Sequence, residues 1–228
     1  PVVLVNFKDA EFKINKPKEA FEQLFNSNTQ ADFGNGNYLN YGSVAKYFRD
    51  MSGGTFTPNF KVYDPVTLDK PETYYGGKNE ANNKDENPRQ LVKDALKLIE
   101  DQVTEDDIKS FCSDGKTVDC VYVVYAGLGQ NDGGAGTTVW ANTWTTDGAT
   151  LGGKSVRWYT MSPELSSMKL DDNGKFNNKG TIPAVSGIGV ICHEFSHALG
   201  LPDFYPTAES AYVDNQEMEY WDLMDGGE

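Results

Sequence analysis

The chain has 228 residues, 38% of them hydrophobic, and a formal net charge of −14 at pH 7. That length suffices for one sizeable core or for two lobes sharing a cleft. The acidic balance excludes a nucleic-acid partner and docking on anionic lipid, and no run approaches the roughly 18 apolar residues of a membrane span.

Residues 2–7 read as a buried strand, because Val2, Val3, Leu4 and Val5 follow one another without a polar break. Lys16-Pro17-Lys18 opens a helix through Phe25, with Ala20, Phe21, Leu24 and Phe25 on one face. Gly34-Asn35-Gly36-Asn37 is a loop. Ser43 caps a second helix with Val44, Tyr47, Phe48 and Met51 inward, and Gly53-Gly54 stops it. Aromatic and polar residues alternate over 55–63, the pattern of a strand interrupted at Pro58. Residues 76–87 read as an exposed connection. Asn87-Pro88 starts a third helix with Leu91, Val92, Ala95, Leu96, Ile99 and Val103 at helical spacing.

Cys112 and Cys120 flank a turn marked by Asp114-Gly115. A disulfide closing that loop is expected, worth roughly 2–3 kcal/mol by chain entropy, with two reduced thiols as the alternative. Residues 119–126 form the central strand, and 137–144 and 155–161 two more. Asn131-Asp132-Gly133-Gly134 and Asp171-Asp172-Asn173-Gly174 are oxygen-rich enough to hold Ca2+, although neither has the spacing of the twelve-residue calcium loop. Strands interleaved with helices, ahead of one long final helix, give a mixed α/β fold with a twisted sheet.

Both histidines of the chain lie in His193-Glu194-Phe195-Ser196-His197-Ala198-Leu199-Gly200-Leu201-Pro202-Asp203. Two imidazoles four apart on a helix share a face and can meet one zinc ion (Zn2+), with Glu194 beside them. Ile188, Ile191, Cys192, Phe195, Ala198 and Leu199 make a separate, buried stripe. Ser186 is the candidate N-cap. Gly200 can take the left-handed conformation that ends the helix, and Pro202 prevents it from resuming. Zinc needs a third protein ligand, and with no third histidine this must be a carboxylate or a cysteine. Asp203, just past the glycine bend, is the candidate. Cys192 is a poor one, since neighbours on a helix point about 100° apart. Such a centre hydrolyses peptide bonds with activated water, Glu194 serving as general base and acid.

The string from His193 to Asp203, followed by Trp221-Asp222-Leu223-Met224-Asp225-Gly226-Gly227, resembles the immune-inhibitor-A-type secreted metallopeptidases. These are relatives of the metzincin clan with H-E-x-x-H-x-x-G-x-x-D in place of a third histidine. Ser43-Val44-Ala45-Lys46-Tyr47-Phe48, Tyr74-Tyr75-Gly76 and Met161-Ser162-Pro163-Glu164-Leu165 share the likeness, which covers most of the chain. It implies a single metzincin-like catalytic domain over 1–228. Residues 1–200 would be the N-terminal lobe, and 201–228 the start of a C-terminal lobe that continues past Glu228. Met224 would form a structural turn beneath the metal. Secretion is implied by the likeness alone, because no signal peptide precedes Pro1. Polypeptide substrates would bind along an edge strand. By order that strand is 137–142, with Thr138, Val139 and Trp140. Many metzincins carry a tyrosine two residues after the methionine; Gly226 stands there, so a phenolic stabiliser would come from elsewhere, with Tyr205 and Tyr220 as candidates.

Two other readings use the same residues. One is a zinc hydrolase of non-peptide amides or esters. The other is a non-catalytic extracellular surface-binding domain, suggested by 12% aromatic residues and opposed by the intact Glu194. No motif specifies an oligomeric state.

Overall fold

A computed structural model describes residues 1–28, 42–79, 84–173, 175, 177–207 and 218–227; the loop expected at 34–37 lies outside them. In chain order the elements are β1 (Val2–Asn6), α1 (Pro17–Asn26), α2 (Val44–Met51), β2 (Val66–Thr67), α3 (Glu72–Gly76), β3 (Lys78–Asn79), β4 (Lys84–Asp85) and α4 (Pro88–Ile99). There follow α5 (Glu105–Phe111), β5 (Thr117–Val118), β6 (Val121–Leu128), β7 (Asn142–Leu151), β8 (Lys154–Leu170), β9 (Ile182–Val185) and α6 (Ile188–Ala198).

Strands β2, β1, β6 and β8 lie side by side and parallel, and β5 runs parallel beside the start of β8. Strand β8 also carries two antiparallel neighbours in succession, β7 along 154–161 and β9 along 165–170. Among the described residues β7 is an outer strand, paired with β8 alone. Both faces of the sheet are covered, which is why β1 is apolar without alternation. Val3, Val5, Val123 and Met161 pack with Leu91, Ala95 and Ile99 of α4 on one face. Val2, Leu4, Tyr122 and Val124 meet Phe21 and Leu24 of α1, Phe48 of α2 and Ile191 and Phe195 of α6 on the other. Helix α6 is thus fixed against the sheet by its apolar stripe.

The structure departs from the sequence pattern at several points. Residues 55–63 form no regular strand; only Val62 bridges to Val2, and the N–H and C=O of Phe60 are taken by the Asn26 side chain instead. Met51, at the end of α2, is 70% exposed rather than inward. Residues 76–87 include the β3–β4 hairpin and a half-buried Asp85. Helix α5 has no counterpart among the expected elements, although Thr104 and Asp107 form a capping box at its start. Strand β8 runs far beyond 155–161, and β9 is a further unexpected strand.

The expected Cys112–Cys120 disulfide is absent, and all three cysteines are free. Cys112 packs into the core on the α4 face, whereas Cys120 packs on the α6 face, so the sheet separates them. The loop is closed by Asp119, whose carboxylate accepts from the Ser113 N–H at 3.1 Å and the Ser113 hydroxyl at 2.7 Å.

The strand expected at 137–144 begins only at Asn142. The preceding residues fold inward onto two carboxylates: Glu72 accepts from the Val139 N–H at 3.2 Å, and Asp85 from the Trp140 N–H at 2.9 Å. Gly76 permits this approach, since a Cβ there would sit 2.5 Å from the Thr138 carbonyl carbon. Burial pushes the Glu72 carboxyl up to about 7, with Asp9 and Asp85 adding to the rise, and lifts Asp85 to about 6. A carboxyl raised on folding holds its proton more tightly in the folded state. Its stabilising contribution is therefore full below the unfolded value of 4.5 for Glu72 and is lost as pH rises to about 7. Glu72→Gln keeps an acceptor for Val139 while removing the charge. It should raise the melting temperature at pH 8 by roughly 2–4 °C and flatten its slope between about pH 4.5 and 7; a thermal-melt series with an unchanged slope would place that pH dependence elsewhere.

Candidate metal centre

The sequence around the motif folds as a sharply ended helix. Glu164 is fully buried, and its main-chain carbonyl accepts from the Ser186 N–H at 2.7 Å, tying the approach to α6 onto β8. Ser186 is thereby not the cap; Gly187 occupies that position, with no side-chain hydrogen bond. At the other end Gly200 adopts φ 97°, and a pair of backbone bonds closes the turn: Gly200 N–H to His197 C=O at 2.9 Å and Leu201 N–H to Ser196 C=O at 3.1 Å. This pairing satisfies two of the carbonyls a helix terminus leaves open, and it reverses the chain within a few residues.

The reversal brings Asp203 to the two histidines. His193 Nε2 and His197 Nε2 are 3.1 Å apart, and Asp203 Oδ1 lies 3.3 Å from the first and 3.2 Å from the second. Each ring is oriented from behind by a carbonyl. His193 Nδ1 donates to Leu223 O at 2.7 Å, and His197 Nδ1 donates to Leu201 O at 2.8 Å. A carbonyl oxygen can only accept, so both Nδ1 atoms carry the proton, and a neutral ring then presents a lone pair at Nε2. Asp203 Oδ1 is buried with no hydrogen-bond partner. Three electron-rich atoms thus face one another, an arrangement that repels itself unless a cation lies between them. Among the described residues this is the group of side chains that could hold a metal ion.

The segment expected to form the methionine turn lies against this centre. Met224 is buried, its N–H donates to Asp222 Oδ1 at 2.8 Å, and its carbonyl accepts from the Phe204 N–H at 2.8 Å. One residue earlier, the Leu223 carbonyl is the one that holds His193. Glu194 is buried beside the histidines, with Oε2 accepting from the Thr143 hydroxyl at 2.9 Å. Tyr205 is half-buried, its ring stacked on that of His193 at 6.4 Å and 13°, whereas Tyr220 is 83% exposed. Cys192 packs into the core on the α6 face, where burial pushes its thiol well above the usual range.

Other candidates are not brought to the centre. Thr138, Val139 and Trp140 precede the outer strand, and the main-chain groups of Val139 are used internally, its carbonyl accepting from Gln130 N–H and the Tyr125 hydroxyl. In each acidic loop one carboxylate is used on nearby protein donors. Asp132 accepts from the Ser167 N–H and hydroxyl, and Asp171 Oδ1 accepts from the N–H groups of Asn173 and Lys175. Thr143 and the carbonyls of Leu201 and Leu223 are site residues that sequence reasoning missed. The carbonyls have no side-chain signature, and Thr143 emerges only from the register of β7 on β8.

The family model described as immune inhibitor A peptidase M6, catalytic domain, matches residues 2–228. The chain belongs to that family. Among curated relatives, the pre-pro-metalloprotease PrtV of Vibrio cholerae serotype O1 is 25% identical over 206 residues, covering 82% of this chain. Immune inhibitor A of Bacillus thuringiensis subsp. alesti is 27% identical over 213 residues, covering 80% of it. The chain spans 21% and 28% of the lengths of these two relatives. As a member of the peptidase M6 family it is a metallopeptidase catalytic domain, a kind of enzyme that works with a metal ion. No described helix is long and apolar enough to cross a membrane.

The bend at Gly200 gives a direct check on how the centre is assembled. An L residue with a Cβ is strained at φ 97°, by roughly 1–2 kcal/mol, and asparagine tolerates that region better than alanine. Metal retained after dialysis should therefore fall in the order wild type, Gly200→Asn, Gly200→Ala; equal retention in all three would detach the bend from metal binding.

Proposed function

We propose that this chain is the catalytic domain of a secreted zinc endopeptidase acting on extracellular polypeptides, with His193, His197 and Asp203 as ligands and Glu194 as general base. One observation carries the reading: His193 Nε2, His197 Nε2 and Asp203 Oδ1 converge at 3.1–3.3 Å. Ligands about 2.0–2.1 Å from a tetrahedral zinc would lie about 3.3 Å from one another, so the donor set and its spacing both fit that ion. The Leu201 and Leu223 carbonyls support the assignment, since metal-ligating histidines commonly donate the other ring N–H to such a group.

Zinc, when bound, supplies a Lewis acid that acidifies water and polarises the scissile carbonyl. The remaining steps belong to the chain. Glu194 takes the proton from the attacking water and delivers it to the departing amine, so that one water is consumed and one peptide bond broken. The outer edge of β7, from Asn142 onward, is the place for an extended substrate to add as a further antiparallel strand. This replaces Thr138, Val139 and Trp140, whose backbone is drawn inward. A metzincin-like arrangement, with 1–200 as the first lobe and the Met224 turn at the start of a second, fits the contact of Leu223 with His193. Secretion is carried over from kinship with a pre-pro-metalloprotease. The family match favours neither a non-catalytic surface-binding domain nor a hydrolase of non-peptide amides or esters.

Two variants separate the roles. Glu194→Ala should keep one zinc per chain while cleavage of a casein substrate falls at least about 100-fold, the scale of general base catalysis. Asp203→Ala should instead lose zinc on dialysis. Full activity in the first variant, or full zinc retention in the second, would remove the assigned role.

A further inference from the structure

Thr143 sits where three parts of the protein meet. It lies on the outer strand β7, directly opposite Thr160 of β8, which in turn is opposite Tyr122 of β6. That cross-strand row places its side chain on the α6 face of the sheet. Its hydroxyl oxygen lies 2.7 Å from the main-chain carbonyl of Glu194 and 2.9 Å from Glu194 Oε2, with Thr160 Oγ1 behind it at 3.3 Å. One strand hydroxyl therefore lies within hydrogen-bond reach of both the backbone carbonyl and the carboxylate of a single helix residue, its one proton shared between the two oxygens.

We infer that Thr143 is a positioning residue for Glu194, coupling the base to the strand on which the substrate is proposed to lie. The inference rests on the reading of Glu194 as general base given above. A glutamate side chain has several rotatable bonds, so the place of its carboxylate is set by the groups that bond to it. A hydroxyl held by the sheet, 2.9 Å from Oε2, is one such group. The same hydroxyl lies 2.7 Å from the Glu194 carbonyl, so the approach of α6 to β7 is set at the same residue. Base and substrate strand are then referenced to one atom, Thr143 Oγ1. A misplacement of about 1 Å in a reacting group can cost on the order of 100-fold in rate, so this anchor has a measurable consequence. The Thr143 hydroxyl reaches Thr160 and Glu194 and none of the three converging ligand atoms, so the effect should appear in turnover and not in metal content.

The test compares Thr143→Val, which keeps the shape and removes the hydroxyl, with Thr143→Ser, which keeps the hydroxyl and removes the methyl. Zinc-loaded Thr143→Val should lose about 10- to 100-fold in kcat, with KM and zinc stoichiometry near wild type. Thr143→Ser should return kcat to within about threefold of wild type. Thr143→Ala repeats the comparison if valine impairs folding, as judged by thermal melting. A folded, zinc-loaded Thr143→Val or Thr143→Ala with kcat within about twofold of wild type overturns the inference, and so does a Thr143→Ser as slow as Thr143→Val. Glu194→Gln separates the two levels. If it is fully active, the base assignment itself fails; if it is inactive while Thr143→Val is fast, only the positioning role of Thr143 fails.

Discussion

Two imidazole nitrogens and a carboxylate oxygen, each aimed at the same small volume, dominate this structure. Their mutual distances of 3.1–3.3 Å leave no room for a water between them. Both Nδ1 atoms donate to main-chain carbonyls, so each ring, when neutral, faces inward with the lone pair of Nε2. In water three such groups would move apart. Here they are held together by helix geometry on one side and by the turn at Gly200 on the other. A divalent cation turns the repulsion into attraction, and the rest of the fold can be understood as the means of holding that arrangement ready for one.

The sheet supplies the rigid part. Parallel strands buried on both faces give α6 an apolar surface, and Phe195 and Ile191 fix the helix to it. Among the described residues after 200, Leu223 packs against the same core, and further ties come from the site itself. Leu201 and Leu223 each commit a carbonyl to a histidine, and Phe204 is bound to Met224. The second segment is therefore coupled to the first through the imidazoles. Each ring contact is thus one tie among several, beside the Leu201 N–H to Ser196 bond and the packing of Leu223, that orient the ligands and the segment together.

The ligand string is legible in the sequence because its chemistry is local. Two histidines at i and i+4, a glycine that can turn and an aspartate within reach form a set whose geometry follows from helix pitch and a left-handed bend. The buried strand at residues 2–7 and the helix beginning at Pro88 are equally legible, since each carries its own apolar pattern. What escapes depends on partners distant in sequence. The alternation over 55–63 suggests a strand, yet Asn26 satisfies the Phe60 backbone from α1. The start of β7 is displaced because Glu72 and Asp85, far earlier in the chain, draw Val139 and Trp140 inward. Cys112 and Cys120 are near in sequence but fall on opposite faces of the sheet, a separation that spacing cannot reveal. The role of Thr143 needs the register between β7 and β8, which no pattern in either strand encodes.

X-ray absorption at the zinc edge of the purified, dialysed protein tests the convergence of these ligands most directly. One zinc per chain is expected, with nitrogen and oxygen neighbours at about 2.0–2.1 Å and the outer-shell scattering of two imidazole rings. A sulfur neighbour at about 2.3 Å, a single imidazole, or no bound metal after incubation with zinc would contradict the assigned centre.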